Sequence, residues 1–136
     1  MFNRVKAYII ITGILNFTLS SLCIFAGATF KSPGYDIIMS ILPLKAWGAG
    51  FAIVGALCAY ALFSSSVAIA RIGMSLGTML LATWGISFLV SLITGAAQGP
   101  TGAIVWLSLA AYQVVIVATP NIKPIEEYIR REKDID

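Results

Sequence analysis

Apolar residues dominate four long stretches of this 136-residue chain, and short, more polar segments separate them. The stretches cover residues 7–30, 46–63, 67–93 and 101–119. A transmembrane helix needs about 20 mainly apolar residues. Strands of a membrane barrel would instead alternate polar and apolar positions over about ten residues, whereas these stretches are continuous. The pattern predicts an all-α polytopic membrane protein, a four-transmembrane-helix antiparallel bundle.

Composition supports the same class. Hydrophobic residues make up 59% of the chain and charged residues 11%, against roughly a quarter charged in soluble domains. Between Ala46 and Thr119 the only strongly ionisable side chain is that of Arg71. We therefore expect residues 1–136 to form one membrane domain, with no soluble domain.

Residues 31–45 interrupt the apolar pattern between the first two predicted spans. Pro33 and Gly34 are expected to end the first helix, because neither residue favours a helix interior. Residues 36–42 are predicted to form a short extracytoplasmic helix in the membrane interface, which Pro43 ends. This segment either caps the bundle or serves as a docking or gating element.

Five side chains are predicted to lie at the membrane interface. Tyr35 and Trp47 carry rings of the kind that prefer the water–lipid boundary. Lys31 and Lys45 have long aliphatic side chains, which allow the terminal ammonium group to reach the lipid headgroups. Arg71 lies about a turn after Ser66, the predicted N-cap of the third span, and is expected to contact lipid phosphates.

Positive charge predicts the orientation. Seven of the nine lysines and arginines fall on the side that holds both termini: Arg4, Lys6, Arg71, Lys123, Arg130, Arg131 and Lys133. Such residues favour short cytoplasmic segments, so both termini are expected in the cytoplasm and the protein in the inner (cytoplasmic) membrane. The alternative, a signal peptide with a cleavage site at residues 26–28, is less favoured because the first stretch exceeds the usual 7–15 apolar residues.

The last segment, residues 120–136, is predicted to contain a cytoplasmic amphipathic helix after Pro124. Its acidic residues Glu126 and Glu127 fall in the first turn and its bases in the last, as a helix dipole favours. It either lies on the inner leaflet, stays solvated or binds a partner.

Small residues spaced four apart mark predicted helix contacts. Gly73 and Gly77 form a G-x-x-x-G pair on the third span, and Gly55 and Ala59 have the same spacing on the second. Small residues let membrane helices approach closely. The contacts belong either within one chain or between copies of it.

Polar residues within the spans form a candidate intramembrane cluster. Its proposed members are Thr12, Asn16, Ser20, Thr83, Trp84, Ser87, Tyr112 and Gln113. On the first span they recur every four residues, and on the third a similar ladder runs from Ser75 to Ser91, so both stripes are expected to face inward. The cluster either holds the helices together through hydrogen bonds or lines a wetted path for a small solute.

Groups that carry chemistry are scarce. The chain has no histidine, and the acidic residues lie only at Asp36 and in the tail. Cys23 and Cys58 are predicted to differ in depth by about 17 Å at 1.5 Å per residue, too far for a disulfide. We expect no enzymatic activity, no metal, no cofactor and no nucleic-acid binding.

Residues 41–57, "ILPLKAWGAGFAIVGAL", resemble the second helix of small four-span membrane proteins of bacterial viruses and prophages. Those proteins enter the helix through a proline followed by a Trp-Gly pair, as Pro43, Trp47 and Gly48 do here. The resemblance implies a membrane protein of a bacterium or its virus, and for some members a holin-like role as an oligomeric lesion.

Three functions follow as hypotheses. The first is a non-enzymatic membrane protein that acts through contacts with other proteins or with copies of itself, in addition to membrane lipids. The second is a holin-type pore. The third is a small channel or uniporter, although the spans hold no acidic residue or histidine of the kind that proton-coupled carriers use.

Overall fold

The computed structural model describes residues 2–96 and 100–118, and all the regular structure in that part of the chain is helical. The five α-helices are α1 (Phe2–Phe25), α2 (Asp36–Ile41), α3 (Leu44–Ser64), α4 (Val67–Ile93) and α5 (Thr101–Ala118). Two 3-10 turns, Gly27–Phe30 and Pro33–Tyr35, lie between α1 and α2. The all-α prediction is therefore confirmed. The predicted tail helix at 120–136 lies outside the described residues.

Three of the helices are long and apolar enough to cross a membrane: α1 over Lys6–Phe25, α3, and α4. The described apolar part of α5, Thr101–Val115, is shorter than the other three. A membrane protein with at least these candidate spans is thus supported. A total of four crossings stays a prediction.

The long helices pack in chain order, α1 on α3, α3 on α4 and α4 on α5. Glycine contacts show that neighbours run antiparallel. On α4, Gly73 lies against Cys58 and Gly77 against Val54, so rising numbers on α4 meet falling numbers on α3. Between α3 and α4 the two-residue turn at 65–66 imposes this arrangement, because α4 must turn back beside α3.

Glycines hold these helices close together. A Cβ atom at Gly55 would lie 3.0 Å from the Phe17 ring of α1, and one at Gly73 would lie 3.1 Å from the Leu57 Cβ of α3. Gly85 is even closer to α5, with the Leu107 side chain 2.6 Å from the Cβ position. In this structure Gly55, Gly73 and Gly77 pack against neighbouring helices of the same chain, while a contact between copies stays a prediction. Ala59 is half-buried.

The outward faces of all four long helices are apolar. Ile14 on α1 is 62% exposed, Met79 on α4 65% and Val115 on α5 67%. Contiguous apolar surface of this kind is unusual on a soluble monomer. It suits hydrocarbon as the surrounding solvent.

The turn between α3 and α4 follows the sequence prediction. Ser65 adopts a left-handed conformation with φ 52°, which reverses the chain. The Ser66 side chain then accepts a hydrogen bond from the Ile69 backbone N–H at 3.4 Å and caps α4. Both the N-cap and the start of α4 at Val67 are confirmed.

The end of the first helix differs from the prediction. We expected α1 to continue to residue 30, but it ends at Phe25, and residues 26–43 form a separate connector before α3. The chain turns away from the axis of α1 after Phe25, because the Phe30 ring is buried in the bundle at 7% exposure. A straight extension of α1 would carry that ring away from the core. The predicted short helix at 36–42 is present as α2.

Candidate functional site

The bundle interior has two apolar ends and a polar middle. At the connector end, seven aromatic rings form what we call the aromatic cluster: Phe30, Tyr35, Trp47, Phe51, Trp84, Phe88 and Trp106. At the end near Ser65, a second apolar core consists of Ile9, Val54, Cys58, Ala61, Ala70 and Met74. Between them lie Thr12, Asn16, Thr78 and Gln113 beside Gly77, which we call the amide centre.

Every long helix contributes to the amide centre. Asn16 comes from α1, Gly77 and Thr78 from α4, and Gln113 from α5. Val54 of α3 packs against Gly77. A Cβ at Gly77 would lie 2.9 Å from Gln113 Oε1 and 3.5 Å from Asn16 Nδ2. The missing side chain of Gly77 is therefore what lets two amides from different helices meet beside α4.

Two hydrogen bonds fix the positions of these amides. Asn16 Nδ2 donates to the Thr12 carbonyl at 2.8 Å, which identifies the nitrogen end because two oxygens would repel at that distance. Thr78 Oγ1 lies 2.9 Å from the Met74 carbonyl and 3.4 Å from Gln113 Oε1. Since a hydroxyl has one proton and the carbonyl is nearer, the contact between Thr78 and Gln113 is the weaker one.

Three atoms of the amide centre have no hydrogen-bond partner among the described residues. They are Thr12 Oγ1, Asn16 Oδ1 and Gln113 Nε2. Asn16 and Gln113 are 0% exposed and Thr12 is 1% exposed. Buried polar groups are nearly always paired. The centre thus offers a donor, an acceptor and a hydroxyl without a formal charge, which suits a small neutral polar molecule better than an ion.

The predicted polar stripes are buried only in part. On α1, Thr12, Asn16 and Ser20 all face inward as expected, and on α4 Ser87 and Ser91 do so. Thr83 is half-buried. Ser75 is exposed, so the inward orientation predicted for it is wrong.

Tyr112 is also placed differently from the prediction. We expected it to join the inward polar set, but its side chain is 40% exposed while the neighbouring Gln113 is fully buried. Adjacent helical residues point about 100° apart at 3.6 residues per turn. Only one of the two can therefore face the core.

The aromatic cluster surrounds Trp84, which is 0% exposed. Five rings lie with their centroids 4.7–6.0 Å from the Trp84 ring, in edge or tilted arrangements. Such geometries are favourable for aromatic pairs. The indole N–H of Trp84 has no hydrogen-bond partner among the described residues, so shape rather than polarity holds this ring in place.

The connector is fixed to the aromatic cluster. The Ser91 hydroxyl lies 3.0 Å from the Ser87 carbonyl and shares its proton with the Gly34 carbonyl at 3.2 Å. Trp47 Nε1 donates to the Ile38 carbonyl at 3.1 Å. A Cβ at Gly34 would lie 2.6 Å from the Phe88 ring. Only a glycine allows this contact, and the connector closes one end of the bundle.

These contacts correct one expectation about the membrane interface. Trp47 is 5% exposed and faces the bundle, so its ring does not lie at a lipid surface. Tyr35 is half-buried, with its ring centroid 4.6 Å from that of Phe88. Lys31, Lys45 and Arg71 are exposed, and their contact with headgroups stays a prediction.

Burial also affects the Tyr35 phenol. Loss of solvent raises its pKa above the ordinary value, and a hydrogen bond with the Trp106 side chain acts in the opposite direction. The phenol is therefore neutral at physiological pH and can serve as a hydrogen-bond partner.

Groups for covalent or metal chemistry are sparse in residues 2–96 and 100–118. Cys23 and Cys58 are both buried and free, as predicted. Within that part of the chain no three His, Cys, Asp or Glu side chains come together as metal ligands.

Sequence reasoning missed several residues of the site. Thr78 was not singled out, although it follows Gly77 and bonds across to α5. Phe88 was also missed. It lies four positions after Trp84, on the same helix face, and this spacing is the signal that could have found it.

Comparisons with known protein families, with curated protein sequences and with solved structures found no match to this chain. The likeness of residues 41–57 to viral and prophage proteins therefore stays a prediction.

Proposed function

We propose that the chain is an integral protein of the cytoplasmic membrane that crosses it four times and acts without catalysis, through contacts of its helices with other membrane proteins or with copies of itself. The observation that supports this function lies on the exposed face of α5. Ser108 and Tyr112 are both exposed there, one turn apart, among Ile104, Val105 and Val115.

Several exposed serine and threonine hydroxyls on the other long helices are satisfied by their own backbone. Thr18, Ser21 and Ser64 each donate to the carbonyl four residues earlier, at 2.8–2.9 Å. Ser108 makes no such bond within the described part of the chain, and the Tyr112 phenol, which is too long to reach its own helix backbone, has no hydrogen-bond partner there either. Because hydrocarbon offers no hydrogen-bond partner, a neighbouring helix that supplies one is favoured.

Depth makes Tyr112 the stronger of the two residues. It lies six residues before the end of α5 at Ala118, about 9 Å at 1.5 Å per residue. A helical side chain leans toward the N-terminus of its helix, so the phenol points to the middle of α5. Hydrogen bonds between membrane helices contribute about 0.6–2 kcal/mol each, which is enough to select a partner.

The fourth crossing has its own support. Gly85 of α4 lies against Leu107, and Gly77 lies against Gln113, so α5 runs back beside α4 over the same depth. Its outer face is apolar, like those of the other long helices. If α4 spans the membrane, α5 returns through it. A reporter tag after Gly99 is expected to be extracytoplasmic and one after Asp136 cytoplasmic; a cytoplasmic tag at Gly99 would refute this topology.

Site-specific photo-crosslinking in cells tests the contact face. A benzophenone amino acid at Ala111 is expected to yield a defined crosslinked product, and the same probe at Ile14 on the exposed face of α1 serves as the control. Tyr112→Phe in the Ala111 probe strain should weaken the product. Equal, diffuse lipid adducts at both positions would show that α5 faces only lipid and would refute the proposal.

A second function, a small channel or uniporter, is favoured by the unpaired polar atoms of the amide centre. Membrane-potential dyes during induced expression separate the candidates. A protein that acts through contacts leaves the potential intact, a holin-type lesion collapses it, and a channel gives an ion flux that changes with Asn16→Leu or Gln113→Leu.

A further inference from the structure

The amide centre contains more hydrogen-bonding capacity than its own side chains use. Gln113 has one unpaired end in either orientation of its amide, because Thr78 is its only partner in the described part of the chain. Asn16 Oδ1 is unpaired as well, and its orientation is fixed by the bond from Nδ2 to the Thr12 carbonyl.

Thr12 provides an independent indication. The threonines at positions 18, 78, 83 and 94 each donate to the carbonyl four residues earlier, at 2.8–2.9 Å. This is the usual way for a threonine inside a helix to satisfy its hydroxyl. Thr12 makes no such bond, although it is 1% exposed. Its hydroxyl therefore lacks the backbone partner that the other four threonines find in their own helices.

The chemistry of these atoms limits what the partner can be. An acceptor, a donor and a hydroxyl can all be satisfied by a molecule that both donates and accepts. No charged side chain lies among Thr12, Asn16, Thr78 and Gln113 to balance a buried ion, and an unbalanced ion is costly in such a site. The close contacts of Gly77 with both amides leave room only for a very small molecule.

We propose that Thr12, Asn16 and Gln113 bind water in the interior of the bundle, between the two apolar cores. Buried water in proteins makes about three hydrogen bonds to polar groups that would otherwise be unpaired. In this bundle such a water links polar groups of α1 to one of α5. The proposal does not depend on the function of the protein.

Solid-state NMR of the full-length, ¹⁵N-labelled protein in lipid bilayers tests this directly. Magnetisation is transferred from water to protein nitrogens at short mixing times. The chain has only three asparagines and two glutamines, so the side-chain amides are easily resolved, and Asn16→Leu and Gln113→Leu assign them. We expect transfer to the amides of both Asn16 and Gln113.

Trp84 supplies a matched internal control. Its indole N–H is equally buried and equally unpaired, but aromatic rings surround it, so it should receive no magnetisation at the same mixing time. Thr12→Val, which keeps the shape and removes the hydroxyl, should reduce transfer to Asn16.

The result that would overturn the proposal is equally definite. If the two amides show no transfer from water and instead a direct through-space contact with each other, they form a dry amide–amide hydrogen bond. Transfer to the Trp84 indole as strong as that to the amides would show general water penetration rather than a site, and would overturn it as well. The transfer itself is measured on wild-type protein, so a variant that fails to fold cannot imitate either result.

Discussion

The aromatic cluster and the amide centre occupy neighbouring parts of one bundle, and both contain fully buried polar atoms without partners. In the aromatic cluster one N–H of Trp84 is unpaired amid five rings, whereas in the amide centre three atoms on two helices are unpaired. Ring faces accept hydrogen bonds only weakly and ring edges are positive, so we expect the first region to be dry. The second has the polar partners that a water molecule needs.

The two regions stabilise the bundle in different ways. In lipid, close packing and interhelical hydrogen bonds hold helices together, since lipid chains are as apolar as the side chains. The aromatic cluster provides the packing and ties the connector to the bundle. The amide centre brings polar groups of α1, α4 and α5 together at one depth. Three of its buried atoms are left without a hydrogen-bond partner among the described residues.

The largest effect is expected from Trp84→Ala. Removing the central ring leaves a cavity among five others, and large-to-small changes at buried aromatic residues cost about 3–5 kcal/mol. Steric trapping in bilayer-like discs measures the free energy of unfolding. Ile14→Ala, at a site that is 62% exposed, is the control and should change it little. A small loss for Trp84→Ala would mean that the aromatic cluster is not the main packing core.

A smaller loss is expected from Gly77→Ala in the amide centre. The new methyl group would lie 2.9 Å from Gln113 Oε1 and 3.1 Å from Val54, so the Gln113 side chain has to shift. Overpacking of this kind costs about 1–3 kcal/mol. Gly50→Ala is the matched control, because its nearest neighbour is Leu80 at an ordinary 3.5 Å. Equal unfolding free energies for the two variants would contradict the close contact at Gly77.

The amides themselves should differ from each other. Asn16→Leu removes the bond to the Thr12 carbonyl within α1, and a typical intramolecular hydrogen bond contributes about 0.5–1.5 kcal/mol. Gln113→Met keeps the length of the side chain and removes only the bond to the proposed water and the weak contact with Thr78, so a smaller loss is expected. Unfolding of the two single variants and the double variant forms a cycle. A greater loss for Gln113→Met than for Asn16→Leu would show that Gln113 has a strong partner.

Helix periodicity explains which parts of this picture the sequence could predict. The Ser66 cap and the limits of α4 follow from local residue preferences, and the structure confirms both. The ladder from Ser75 to Ser91 failed at one end because each four-residue step turns about 40° from the last, which adds up to about 160° over four steps. Ser91 and Ser75 therefore lie on nearly opposite faces.

Other features depend on contacts between distant parts of the chain. The position of the connector is set by Gly34 against Phe88 and by Ser91 on the Gly34 carbonyl, pairs separated by more than 50 residues. No local pattern around residue 34 reveals them. Similarly, the meeting of Asn16 and Gln113 depends on Gly77, whose spacing with Gly73 indicated close packing but not which side chains would fill the space.

The smallest expected effect concerns pH at the edge of the aromatic cluster. The pKa of Tyr35 is raised by burial, so the folded protein holds the phenolic proton more tightly than the unfolded chain, in which the pKa is about 10. The stabilisation is fully present below pH 10 and is lost as the pH rises through the folded-state pKa. Tyr35→Phe lacks this proton. The difference in unfolding free energy between wild type and variant should therefore be constant from pH 7 to about 9 and shift against the wild type at higher pH. A difference that stays constant through pH 11 would place the phenol in water rather than against Phe88 and Trp106.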